Sequence, residues 1–453
     1  VVVLTNLKIN NYLTLIIKGI IMRHKVFILI LILFVFTTSS FPQIADTLNS
    51  DLYNWLKSIP DIEVTPIKSD KIFSEAYEIF VTQPIDHNNP DGPKFKEQIF
   101  LSHIDKDKPM VIDLDGYGVN NRTTELSRIL NCNQIMVEHR YFGESVPDPF
   151  DWKYLTIKQA ADDHHRIIEL FKEYYTGKWI TTGISKGGSC AIFHGYYYPD
   201  DVDASVPYVG PLNLSIDDQR VYEWIKSVST PECREKVFNF QKLCFEKRDE
   251  LYPRFLKNAE DKKLTYDIAG YEKAYEYSVL EYSFAYWQWG NGDCSLIPDA
   301  SSPIEDIWEH FLANGGVTYF DDESIKSNYP FFYQCYTEFG YYAYDIQPFK
   351  EYLKYADGQT PFFIPPDSNP SYDPRLLKNI NNWAANEAEN FIFIYGGNDP
   401  WTSPGVCLTG KTNSIKMVLP NGSHASRIKG FSQKDRDLIY SKLENWLELS
   451  IDQ

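Results

Sequence analysis

Ser185 stands in the run Gly183-Ile184-Ser185-Lys186-Gly187, with small residues two before and two after the hydroxyl. A β-rich run, Trp179–Thr182, precedes it, and a helical pattern, Ser189–Tyr198, follows. A strand-to-helix turn this tight forces the serine into a strained backbone region and lifts its hydroxyl above the sheet. The N-terminus of the helix that follows stabilises negative charge developing beside it. A serine hydroxyl needs a base at neutral pH, and the base needs a carboxylate to orient it. Asp399 comes just past the β-pattern Phe391–Tyr395, and His424 just past Ser414–Leu419. Of nine histidines, only His424 lies beyond position 310, and Asp435 and Asp437 follow it in a helical pattern. Chain order therefore leaves Ser185, Asp399 and His424 as a set for acyl transfer through a serine.

A tetrahedral intermediate also needs backbone donors for its oxyanion. The amide of Lys186 is one. The other is expected from Asp115-Gly116-Tyr117-Gly118, just past the β-pattern Met110–Leu114, with Tyr117 or Gly118 as donor. Glycines let that backbone turn inward. The charged run Glu138-His139-Arg140-Tyr141-Phe142-Gly143-Glu144 ends another β-pattern. It could bind substrate, but a buried ion-pair brace near the site is the favoured reading.

These residues must be held by a sheet. Strand-like runs are Tyr77–Thr82, Glu97–His103, Met110–Leu114, Gln134–Glu138, Trp179–Thr182 and Ala204–Val209, with helical periodicity over Thr123–Leu130 and Thr156–Tyr175. Hairpin-like strands followed by β-α alternation predict an α/β sheet with an antiparallel edge. Alternation stops near Leu212, and residues 213–390 are mostly helical in pattern, including Cys233–Lys257, Tyr271–Gly290, Tyr329–Tyr342 and Pro348–Tyr355. The β-pattern then returns, and a final helix covers Gln433–Leu449. The expected fold is an α/β-hydrolase sheet with a large helical lid inserted between late strands. Its core is made by residues 41–212 and 391–453, and its cap by 213–390.

The start of the chain reads differently. Met22-Arg-His-Lys25, an unbroken apolar run Val26–Phe36 and then Thr37-Thr-Ser-Ser40 match a secretory signal, which places the signal at 22–40. Residues 1–21 lack an initiator Met and are read as upstream sequence translated from a misplaced gene start. The protein is thus expected to be exported, to the periplasm or the medium, with no stable membrane anchor after cleavage. The formal charge of −18 sets it against nucleic acid and anionic surfaces. No cysteine or histidine spacing suggests a metal, and no organic cofactor is expected. Export permits disulfides, and Cys233–Cys244 and Cys294–Cys335 are the pairs expected, with at least one of seven cysteines left over.

As a set, these motifs resemble the secreted tripeptidyl aminopeptidases of streptomycete type, serine peptidases related to prolyl carboxypeptidase and dipeptidyl peptidase II. The likeness is carried by Val137–Pro147, Asp151–Arg166, Gly183–Gly188 and Tyr198–Ala204, with Pro84–His87, Phe95–Gln98 and Tyr333–Glu338 similar to the wider group. It is dense over about 75–215 and patchy over 280–430. It implies peptide substrates cleaved from the amino terminus, often after proline, with two or three residues released. An aminopeptidase must hold a free ammonium with a partly buried carboxylate. Glu338 and Asp115 are the candidates, and Trp287, Trp289 or Trp401 could line a proline pocket. A carboxylesterase shares the same triad. A carboxypeptidase acting after proline would instead need a cation such as Arg122 or Arg140. A non-catalytic binding protein would have no use for all three triad residues.

Overall fold

The computed structural model describes residues 49–451 apart from Asn291, so the expected upstream segment and signal lie outside the described residues. Nine strands form one sheet: β1 (Ile62–Ile67), β2 (Glu75–Pro84), β3 (Lys94–His103), β4 (Met110–Leu114), β5 (Asn133–Val137), β6 (Trp179–Ile184), β7 (Ala204–Tyr208), β8 (Ile392–Gly396) and β9 (Ile415–Leu419). Their spatial order is β1-β2-β3-β5-β4-β6-β7-β8-β9. β1, β2, β3 and β5 pair antiparallel, with a long hairpin register running from Glu75↔His103 to Pro84↔Lys94. From β5 to β9 every pairing is parallel, so those strands share one carboxyl edge.

The parallel strands β4, β5, β7 and β8 are buried along their whole length, as strands covered on both faces must be. The two-residue period sorts their side chains. In β4, Met110, Ile112 and Leu114 face one layer with α1 (Asp51–Ser58), while Val111 faces the other with α2 (Glu125–Leu130). α3 (Ile157–Lys172) joins the first layer through Ile167, Ile168 and Phe171, and α4 (Lys186–Tyr197) through Cys190. Thr156 caps α3 by accepting the Gln159 N–H.

Between β7 and β8 the chain runs through α5 (Gln219–Ile225), α6 (Pro231–Glu246), α7 (Arg248–Lys262), α8 (Tyr271–Trp289), α9 (Ile304–Asn314), α10 (Asp322–Ser327), α11 (Tyr329–Gln334) and α12 (Arg375–Asn386). α13 (Gln433–Leu447) closes the chain against the α2 layer through Ile439 and Leu443. Buried on most of its circumference, α8 is the axis of the cap, and its tyrosines Tyr275, Tyr277 and Tyr282 are fully enclosed.

Several sequence expectations need correcting. The helix expected over Cys233–Lys257 is two, α6 and α7, meeting at Lys247. Lys247, at φ −94° and ψ 21°, leaves the helical region and breaks the ladder there. Tyr329–Tyr342 is helical only to Gln334, passes through a π turn at Cys335–Phe339 and is then irregular. Pro348–Tyr355 contributes only the end of a short 3₁₀ turn, Gln347–Phe349. The disulfide joins Cys233 to Cys294, with Cα atoms 5.5 Å apart, and leaves Cys244 and Cys335 as buried thiols. Cys233 and Cys244 share α6, where eleven residues span about 16 Å, beyond the reach of a disulfide.

Candidate active site

β6 ends in the turn that carries Ser185. The serine has φ 60° and ψ −124°, a strained conformation for a residue with a Cβ. Neighbours hold it there: its N–H donates to the Tyr208 carbonyl at the end of β7 (2.9 Å), and its own carbonyl accepts from Ser189 (3.0 Å). Packing leaves no room for side chains around it. A Cβ on Gly183 would lie 2.2 Å from the Gly187 carbonyl oxygen, and one on Gly188 would lie 2.5 Å from that of Tyr208. α4 begins at Lys186, so the helix N-terminus starts directly behind the hydroxyl.

Asp399 and His424 are brought together at the same carboxyl edge, past β8 and β9. His424 Nδ1 lies 2.8 Å from Asp399 Oδ2, and both side chains are buried. Asp399 Oδ1 also accepts the Trp401 N–H at 3.2 Å. The two loops are laced by backbone bonds, Gly397 N–H to the Leu419 carbonyl and Asn398 N–H to that of Gly422, both 2.8 Å. Gly396 permits this approach, since a Cβ there would meet the Ser423 carbonyl at 2.4 Å. The cap contributes too. His424 N–H donates to the carbonyl of Gln288 near the end of α8 (2.9 Å), and Trp289 packs edge-on against the imidazole at 5.0 Å. Trp289 is 63% exposed and Trp287 is buried in the cap core.

The loop after β4 lies against the serine turn. Lys186 Nζ donates to the Gly116 carbonyl (2.6 Å), and a Cβ on Gly116 would strike Lys186 Cβ at 2.6 Å. Burial lowers the Lys186 ammonium pKa to about 8. Its charge also sits over the rings of Phe142 and Tyr117, 4.8 and 5.4 Å from their centroids. The Tyr117 phenol lies beside the Ser185 side chain, while its backbone N–H donates to Asp115 Oδ1 (3.2 Å). Gly118 is exposed beside it.

The run after β5 is a brace. Glu138 accepts the N–H groups of Val119, Glu144 and Ser145 and the Ser145 hydroxyl, at 2.8–3.2 Å. Gly143, at φ +48°, passes so close that a Cβ would lie 2.0 Å from Glu138 Oε1. Arg140 has no exposed surface; it grips both oxygens of Asp163 (2.6 and 2.8 Å) and the carbonyls of Ile85 and Tyr154. Arg122 bridges Asp113 (2.9 Å) and Asp115 (3.2 Å).

Of the acids expected to meet an ammonium, Asp115 is thus already paired with Arg122. Glu338 accepts the Ile157 N–H at the start of α3 (2.8 Å), tying the π turn of the cap to a core helix, and burial raises its pKa. Trp401 is buried against Phe284, Tyr341 and Tyr342, at 5.1, 5.7 and 5.6 Å. Sequence reading passed over Glu281, which α8 places in this aromatic wall.

A parallel sheet whose carboxyl edge carries a strained serine turn and a buried His–Asp pair, crossed by a helical insertion, defines a serine hydrolase of the α/β-hydrolase class. The model of the PS-10 peptidase S37 family matches residues 45–451, and the chain belongs to that family of serine peptidases. It is 30% identical over 373 residues to the prolyl tri/tetrapeptidyl aminopeptidase of Streptomyces mobaraensis, covering 80% of this chain and 78% of that protein. Among solved structures it is similar to a proline iminopeptidase of Mycobacterium smegmatis, with 12% identity, TM-score 0.41 and coverage of 82% and 99%. A 2-hydroxy-6-oxo-6-phenylhexa-2,4-dienoate hydrolase of Rhodococcus gives 12% identity and TM-score 0.36 over 85% of this chain and 100% of that one.

Proposed function

We propose that this peptidase is exported and releases tripeptides or dipeptides from free amino termini, favouring proline before the cleaved bond. Ser185 attacks the scissile carbonyl. His424 Nε2 takes its proton and passes it to the leaving amine, while Asp399 holds Nδ1–H and so fixes the tautomer. The oxyanion is met by the Lys186 amide and the Gly118 amide, since the Tyr117 N–H is taken by Asp115. Water then hydrolyses the acyl-enzyme, with His424 as base again. The observation that carries the triad is the buried 2.8 Å His424–Asp399 pair on the same sheet edge as the strained Ser185.

Direction along the peptide is supported by where the cations are. Arg140 is consumed by Asp163 and Arg122 by two aspartates, so neither is free to hold a substrate's terminal carboxylate. The similarity to the streptomycete aminopeptidase supports the preference for proline. Export rests on the Met22–Ser40 pattern, and the acidic chain suits peptide rather than nucleic-acid partners.

Fluorogenic X-Pro and X-X-Pro peptides, each with free and acetylated amino termini, test this beside Ser185→Ala. Cleavage confined to free-amine substrates and lost in S185A supports the proposal. Equal cleavage of acetylated peptides, or turnover of short esters alone, would overturn it.

A further inference from the structure

Glu281 is 5% exposed, and its carboxylate meets only phenols. Tyr342 Oη shares its proton between Oε1 (3.1 Å) and Oε2 (2.9 Å), and Tyr344 Oη donates to Oε2 (2.8 Å). Among the described residues no basic side chain forms an ion pair with it. Glu276, the other deeply buried acid of α8, shows what a structural acid looks like here. It pairs with Arg248 at 2.5 Å and accepts the N–H groups of Lys354, Tyr355 and Ala356. A buried carboxylate without a cation is costly unless something supplies one. Burial accordingly raises the Glu281 pKa to about 7.

The position suits a substrate. Ring contacts of 5.6, 5.6 and 4.5 Å lead from Tyr117, beside Ser185, through Phe331 and Tyr341 to Tyr342. Phe284, one turn beyond Glu281, and Tyr342 both pack on Trp401, two residues after Asp399. Along α8, Glu281 precedes Gln288, whose carbonyl holds His424, by seven residues or about 10 Å. Tyr342 and Tyr344 also line an apolar hollow of about 240 Å³, with Leu280, Phe284 and Phe349.

We infer that Glu281 is the carboxylate that receives the α-ammonium of the substrate. This rests on the aminopeptidase reading above. The phenols Tyr342 and Tyr344 orient the carboxylate, and Tyr319, bonded to Tyr341 at 2.7 Å, closes the wall. All four phenols are pushed far above neutral pH, so Glu281 alone in this wall ionises between pH 6 and 7.5.

The test is the ratio of kcat/KM for a free-amine X-X-Pro fluorogenic peptide to that for its acetylated form. In Glu281→Gln the ratio falls about a hundred-fold, carried mainly by KM, as expected when one partner of a buried ion pair is removed. Glu281→Asp recovers part of it. If wild type discriminates and E281Q discriminates equally, the inference is overturned. If wild type itself ignores acetylation, the aminopeptidase reading has failed instead. Should E281Q not fold, wild type decides through inhibition by a free tripeptide and its acetylated form. Affinity for the free tripeptide relative to the acetylated one should rise from pH 6 towards 7.5, and parallel profiles would contradict the assignment.

Discussion

The decisive groups are individual residues whose surroundings leave no alternative. Gly183 is one, because a Cβ would sit 2.2 Å from backbone inside the serine turn. Gly183→Ala should lower kcat at least about ten-fold by shifting Ser185, measurable with any ester or peptide substrate. Lys186 is another. Its pKa is about 8 in the fold against 10.5 in an ordinary lysine, so between those values the unfolded chain binds more protons. The cost of the buried charge is therefore fully present below pH 8 and is relieved as pH rises towards 10.5. Relative to Lys186→Met, wild type should gain about 3 kcal/mol of stability across that window, read by urea unfolding at matched pH. A constant difference would show that the ammonium is not desolvated. Ser185, Asp399 and His424 could be proposed from spacing, because a strand-turn context leaves a local trace. Glu281 left none: it sits in an aromatic helix with acids at 272, 276 and 281, and only three-dimensional placement separates the acid paired with Arg248 from the unpaired one.

At the scale of elements, the cap is fastened to the sheet by a few identifiable ties. Glu338 links the π turn to the first N–H of α3, where the helix dipole favours a negative charge. Glu338→Ala, which removes the acceptor of the Ile157 N–H, should lower stability by about 1 kcal/mol while the preference for free amino termini stays. Loss of that preference would return Glu338 to the substrate site. The Cys233–Cys294 disulfide closes a loop of 61 residues, and its removal by Cys233→Ser with Cys294→Ser should cost about 4 kcal/mol in urea unfolding. An unchanged unfolding midpoint would argue that the bond is not formed. The parallel strands and the hairpin could be read from apolar runs and alternation. The pairing of cysteines could not, since it depends on α6 meeting the chain beyond α8. Nor could the end of the helix at Gln334, where a short π turn replaces a periodic pattern that continued in the sequence to Tyr342.

For the whole molecule, the sheet and the insertion divide the work. The sheet's carboxyl edge supplies the strained serine and the His–Asp pair, and α8 reaches from that histidine to the acid that would hold the substrate's amino end. A single buried carboxylate, rather than the overall acidic field, would select the ammonium. Fold class was legible because the order of strand and helix patterns is a global property of the sequence. Product length was not, because it depends on how far the cap's acid lies from Ser185. The most direct test is mass spectrometry of the products from one unblocked decapeptide with proline third, incubated with wild type and with Ser185→Ala. The account predicts a free tripeptide ending in proline and the matching heptapeptide from wild type, and neither from S185A. Residues released from the carboxyl end, or the same products from S185A, would contradict it.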